Sequence, residues 1–379
     1  MKTCTDVNGN VYNINDISAG AVFNKLDLSE MDFPELPEVL STCTVKNLKI
    51  SDCYSLKSLK NLPRDLKKLD CTRCSSLTSL EGIPEGLSHL CCDLCTSLTS
   101  LKGCPDSVKK LSLEGCTSLE ALEYCPENLE KLKLIRCTAI TSLEGLSEKV
   151  TDIDCHSCTS LKSLKGCPEG LQILDCGGCV SLASLEGCSE SVKVLWLNDC
   201  YSLASLKDCP KNVEHLCLNN CISLTSLEYC PEKIKELFAM GCTSLTSLKG
   251  CPKGLEEIWL LNCKSLVSLE GISENMKRLF CSDGLFTSLK GLPEGIEKVC
   301  CHDCKSLTSL EGCPKGIKEI SCLGCNNINH IPDYIPNDVI RNLTKGKAAL
   351  CRANRWVKNK KAKLKTKFAA ITNSIARTR

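Results

Sequence analysis

One interval governs this chain. Cysteine recurs at Cys53, Cys74, Cys95, Cys116, Cys137, Cys158, Cys179, Cys200, Cys221, Cys242 and Cys263, each 21 residues after the last. The series runs on through Gly284, takes one 20-residue step to Cys304 and ends at Cys325; a one-residue deletion around Leu285-Phe286 accounts for the short step. A fixed period of this kind means one small unit repeated, each copy burying its apolar edge against the next. It overrides the roughly two or three globular domains that length alone would suggest.

A clean unit carries Val108, Leu111, Leu113, Cys116, Leu119, Leu122 and Pro126. The alternation Leu111-Ser112-Leu113 has period 2, so it predicts a short strand with one face inward. Gly and Pro then turn the chain on the far side. No unit has room for the roughly ten residues of a convex helix. The expected fold is a solenoid of short parallel strands on the concave face, with little or no convex helix and a helical C-terminal tail. Its expected segments are an N-terminal cap (1–22), the solenoid (23–343) and the tail (344–379). A degenerate first unit starts near Phe23, with Leu26, Leu28 and Met31.

The pattern L-x-x-L-x-L-x-x-C-x-x-L-x-x-L, recurring some fourteen times, resembles the leucine-rich-repeat family over most of the chain. Cysteine stands where many members carry asparagine. The resemblance implies a horseshoe solenoid that recognises a protein partner on its concave face. The 21-residue unit and the junction from Leu292 to Ile296 are similar to the short repeats of secreted bacterial effectors. That similarity implies an intracellular or translocated effector or scaffold. No segment reads as the helical cap or the ubiquitin-ligase domain of such effectors, so a non-enzyme is expected.

The 34 cysteines need their own account. Cys71/Cys74, Cys92/Cys95, Cys155/Cys158, Cys176/Cys179, Cys301/Cys304 and Cys322/Cys325 are C-x-x-C pairs, and 17 residues separate successive pairs, a zinc-ribbon spacing. The first cysteine of each pair, however, shares its column with Leu113, Leu134, Leu197, Leu218 and Leu260. A position that accepts leucine is a core position, and cysteine there acts as a small hydrophobe. Reduced structural thiols are expected, with no metal and no cofactor; a metal- or thiol-based protein is the alternative. In the 21-residue column the thiol is expected to donate to a turn carbonyl. Cys91, Cys217 and Cys300 fall on strand positions expected to face solvent. So many thiols point to a reducing cytosol, the cell's own or a host's. Met1 to Gly20 lacks the apolar core of a signal peptide, and no apolar run is long enough to span a bilayer.

Catalytic arrangements are not evident. The five histidines (His89, His156, His215, His302 and His330) are scattered over distant repeats, and no phosphate-binding G-x-x-x-x-G-K string occurs. On the convex side the series Lys60, Glu81, Lys102, Glu123, Glu144, Lys165, Glu186, Lys207, Glu228, Lys249, Glu270, Lys290, Glu311 changes sign at eleven of twelve steps. It predicts a charge ladder that specifies register. Serines at Ser76, Ser97, Ser118 and Ser160 suggest a parallel hydroxyl ladder.

The variable strand positions carry the functional reading. One column includes Trp196, Phe238, Trp259 and Phe280; Ile173 and Val194 flank it on one side, Met240 and Leu261 on the other. These eight are the candidate protein-binding residues, as apolar side chains at positions expected to face solvent mark an interaction surface. Packing by the chain's own tail and self-association are the alternatives. Earlier repeats place Lys68, Lys110, Lys131 and Lys133 on the same face.

Charge divides the chain. Residues 1–338 carry a balance of −11 and residues 339–379 one of +13. In the tail Leu364, Phe368, Ile371 and Ile375 share one helical face. Trp356 and the run Lys358, Lys360, Lys361, Lys363, Lys365 and Lys367 precede or surround it. Three readings stand open: a cap on the last coil, a contact with an anionic membrane, or a contact with nucleic acid.

Overall fold

The structure, a computed structural model, describes residues 3–6 and 11–341. They fall into two compact units, Met1–Val213 and Glu214–Arg379. In the first, strands Val22–Asp27, Thr44–Lys49, Lys68–Asp70, His89–Cys91, Lys110–Ser112, Lys131–Lys133, Asp152–Asp154, Ile173–Asp175 and Val194–Trp196 follow one another. Each pairs in parallel with the next. In the second, the series is His215–Cys217, Glu236–Phe238, Glu257–Leu260, Arg278–Ser282, Lys298–His302, Glu319–Ser321 and Ile340–Arg341, again parallel throughout. The register repeats the sequence period: Leu69 opposes Leu90, and Leu90 opposes Leu111.

Among the described residues there is no α-helix, only the 3-10 turns Ile14–Asp16, Glu38–Thr42 and Asn337–Val339. Short turns take the place of a convex helix. The Cys74 N–H bonds to Cys71 O at 3.2 Å and the Leu77 N–H to Cys74 O at 3.0 Å; further round the coil, Cys104 bonds to Leu101 O and Val108 to Pro105 O. The residue before each column cysteine sits in the left-handed region: Arg73, Leu94, Gly115, Arg136, Ser157 and Gly178 have φ between 59° and 73°. The sharp exit from the strand demands this, and glycine, asparagine or aspartate meets it at least cost.

The column cysteines stitch coil to coil, as the sequence suggests. Each of Cys74, Cys95, Cys116, Cys137, Cys158, Cys179 and Cys200 places Sγ 3.0–3.3 Å from the carbonyl oxygen 24 residues earlier. Cys242, Cys263 and Cys325 do the same in the second unit. Cys71 O thus accepts the Cys74 N–H from its own coil and the Cys95 thiol from the next. Both lone pairs of a buried carbonyl are filled. Where Gly284 interrupts the column, the Phe286 ring lies against the glycine and is itself 1% exposed. An aromatic side chain fills the space the missing thiol leaves.

The convex ladder closes in part. Lys102–Glu81, Lys165–Glu144, Lys249–Glu228 and Lys290–Glu311 meet at 2.8–3.2 Å. All are well exposed, and each is worth only about 0.2–1 kcal/mol. The repeated serine contact is in a different column from the one expected: Ser79, Ser100 and Ser163 accept the N–H two residues on, at 3.0–3.1 Å.

At the N-terminus, Thr3–Asp6 pairs antiparallel with Val11–Asn13 and with Val22–Asp27. An antiparallel strand thereby takes up the open edge of the first coil. The C-terminal tail, with Trp356, Lys358, Lys360, Lys361, Lys363, Lys365 and Lys367, lies outside the described residues. No described helix is long and apolar enough to cross a membrane.

Candidate functional site: the strand face

The strand face differs between the two units. In the first, the strands from Val22–Asp27 to Lys131–Lys133 line an open groove of about 470 Å³. Lys25, Lys49, Lys68, Lys110, Lys131 and Lys133 surround it, with His89 between them. Lys131 pairs with Asp152 at 2.9 Å and Lys49 stands 4.0 Å from Asp27. Among the described residues, Lys25, Lys68, Lys110 and Lys133 have no carboxylate within ion-pair distance. Burial, reinforced by Lys110 and Lys68, lowers the His89 pKa, which keeps its ring neutral in this basic setting. The groove's cationic character was visible in the sequence as Lys68, Lys110, Lys131 and Lys133. Lys25 and Lys49, on the first coils, join them only in the fold.

The expected apolar patch behaves otherwise. Ile173, Val194, Phe238 and Trp259 are 2–7% exposed, so they do not stand in solvent. Trp196, Met240, Leu261 and Phe280 are half-buried. In the second unit the reason is stacking. Phe238, Trp259 and Phe280 are register partners on adjacent strands. Trp259 stacks on Phe280 at 4.0 Å between ring centroids and on Phe238 at 5.9 Å. Parallel strands lie about 4.8 Å apart, so rings in register cover one another. Trp259 Nε1–H donates to Glu257 Oε1 at 2.8 Å, and the Arg278 guanidinium pairs with the same buried carboxylate. Trp196 belongs to the first unit, so the eight residues are divided between the two units rather than placed on one.

The three cysteines expected at the surface are also covered. Cys217 is 8% exposed, and Cys91 and Cys300 are half-buried. Burial pushes the Cys91 thiol up to about 11 and that of Cys300 up to about 12. At neutral pH both are thiols rather than reactive thiolates.

Asp154 is a titratable group on this face with a consequence for stability. Burial, with the Asp175 carboxylate on the adjacent strand, raises its pKa to about 6, against the N–H donated by His156 at 3.1 Å. Below about pH 4 the carboxyl is protonated folded or unfolded. Between there and about pH 6 the unfolded chain loses the proton while the folded protein keeps it, so stability falls as pH rises through that window. Asp154→Asn should remove this fall. Relative to wild type the variant should gain about 1 kcal/mol from pH 4 to 6.5, allowing for solvent screening. Urea unfolding at both pH values measures it; a constant difference would contradict the assignment.

These features define a class: a solenoid of parallel strands linked by turns, its repeat resembling the leucine-rich repeat, with a lysine-lined groove in one unit and a ring stack in the other. No family model matches the sequence, and no curated protein matches it. Among solved structures, a circular leucine-rich-repeat protein, CroV588, is similar at 14% identity and a TM-score of 0.47. The match covers 80% of this chain, which spans 58% of CroV588. YopM from Yersinia enterocolitica is similar at 19% identity over 84% of this chain and 91% of its own, with a TM-score of 0.31. A leucine-rich-repeat protein from Eubacterium ventriosum matches at 13% identity over 86% and 94%, with a TM-score of 0.36. The strand register, rather than these likenesses, establishes the fold class.

Proposed function

We propose that the strand face is a recognition surface for a protein partner, and that the partner seats an acidic segment in the lysine-lined groove of the first unit. The observation that carries this reading is the groove itself: six lysines converge on one concavity in a body whose net charge is negative. A concavity lined by one sign of charge focuses the field and draws in the opposite sign. The half-exposed Trp196 would add an apolar anchor on the same unit. Rigid strands hold these side chains in place, so little ordering entropy is lost on binding.

Affinity capture from cytosolic extract tests it, with the intact chain, Lys68→Glu/Lys110→Glu/Lys133→Glu and Trp196→Ser as baits. A partner with an acidic segment should be retained by the intact chain and reduced at least about tenfold by the lysine variant, the equivalent of about 1.4 kcal/mol. Its retention should also weaken steeply with salt. Equal retention by all three baits would overturn the assignment.

A further inference from the structure

The two C-x-x-C pairs Cys155/Cys158 and Cys176/Cys179 do not make the four-ligand site that their spacing suggests. Cys158 Sγ turns to the preceding coil and donates to Leu134 O at 3.0 Å. The other three thiols converge. The Sγ atoms of Cys155, Cys176 and Cys179 all lie within 4.8 Å of one another, and Cys155 and Cys176 are 3.4 Å apart. All three residues are fully buried. The cluster arises where two successive coils both carry cysteine in a column that Leu134 and Leu197 fill on either side. Four coils earlier the same columns hold Cys71, Cys92 and Cys95, with Cys71 and Cys92 Sγ 3.2 Å apart.

We propose that Cys155, Cys176 and Cys179 form a three-cysteine site for a soft monovalent metal ion, Cu(I). Three features select this class. Thiolates favour soft ions over magnesium or calcium. A structural zinc ion takes four ligands, and only three thiols converge here, Cys158 Sγ standing outside the group. Charge is the third: one Cu(I) held by one thiolate and two neutral thiols is neutral, whereas a divalent ion on the same set would carry net charge into an apolar interior at high cost. Binding is a ligand exchange without redox change. The Cu–S bond forms as the thiol proton leaves to solvent, and the ion arrives already as Cu(I) from a thiol or chelator complex.

The column shows which variant keeps the fold. Leucine occupies it in neighbouring coils, so Cys155→Leu removes a ligand without opening a cavity. Cys179→Ser is the second variant, because its hydroxyl can still donate to Cys155 O, which Cys179 Sγ reaches at 3.3 Å. The full chain would be titrated anaerobically with Cu(I) against a chromophoric Cu(I) chelator, with folding checked by circular dichroism. Each variant should hold one equivalent fewer than wild type. Zn(II) under matched competition should not be retained. An unchanged copper count in the folded variants, no copper held by the wild type, or zinc held as firmly as copper would each overturn the proposal.

Discussion

Cys158→Leu should destabilise the protein by about 2–5 kcal/mol, while Cys155→Leu, three residues away, should cost less than about 1.5 kcal/mol. Both cysteines are fully buried, so burial does not separate them. Geometry does. Cys158 Sγ satisfies Leu134 O at 3.0 Å in a column that no repeat fills with leucine. The larger side chain overpacks the turn and also strips the carbonyl of a donor. At Cys155 the stack already alternates with leucine at Leu113, Leu134 and Leu197. Cys158→Asn should fall nearer to wild type than Cys158→Leu, because an amide can reach the same oxygen. Guanidinium unfolding midpoints for the three variants measure the order. Equal losses at the two cysteines would show that the Cys158 column accepts leucine as readily as the Cys155 column does.

Trp259→Ala should cost about 3–5 kcal/mol, a core effect rather than a surface one. Trp259 is 2% exposed, lies between Phe238 and Phe280, and gives its indole N–H to the buried Glu257. Truncation leaves a cavity in the stack. It also takes a donor from a carboxylate that is 1% exposed and pairs with Arg278. Denaturant titration followed by circular dichroism gives the value. A loss under about 1 kcal/mol would mean that the ring is not packed as the structure has it. The consequence for function is direct. A binding defect in a Trp259 variant would report misfolding, so Trp196 and the groove lysines are the residues on which recognition is to be tested.

Much of this protein was legible in its residues because a repeat displays each structural position many times. The Cys53-to-Cys263 column alone sets the coil length and the inward strand residues. The alternation of cysteine with leucine in a second column marks that position as core. The missing convex helix follows from the short space left between Leu122 and Leu129, and the thiol-to-carbonyl contact from chemistry that cysteine shares with asparagine. What a column cannot show is contact between side chains 21 residues apart. Trp259 and Phe238 look like surface residues by strand alternation, yet parallel register stacks their rings at the strand spacing and buries them. Cys155, Cys158, Cys176 and Cys179 look like four equivalent ligands by spacing. The left-handed turn before each column cysteine sends one thiol of each pair toward the preceding coil, so three of the four meet and Cys158 does not. Coil length and coil order were therefore written in the residues alone. Which variable side chains are covered, and which thiols converge, emerges when neighbouring coils are set against each other, because burial and ligand geometry depend on distances between coils that no single repeat contains.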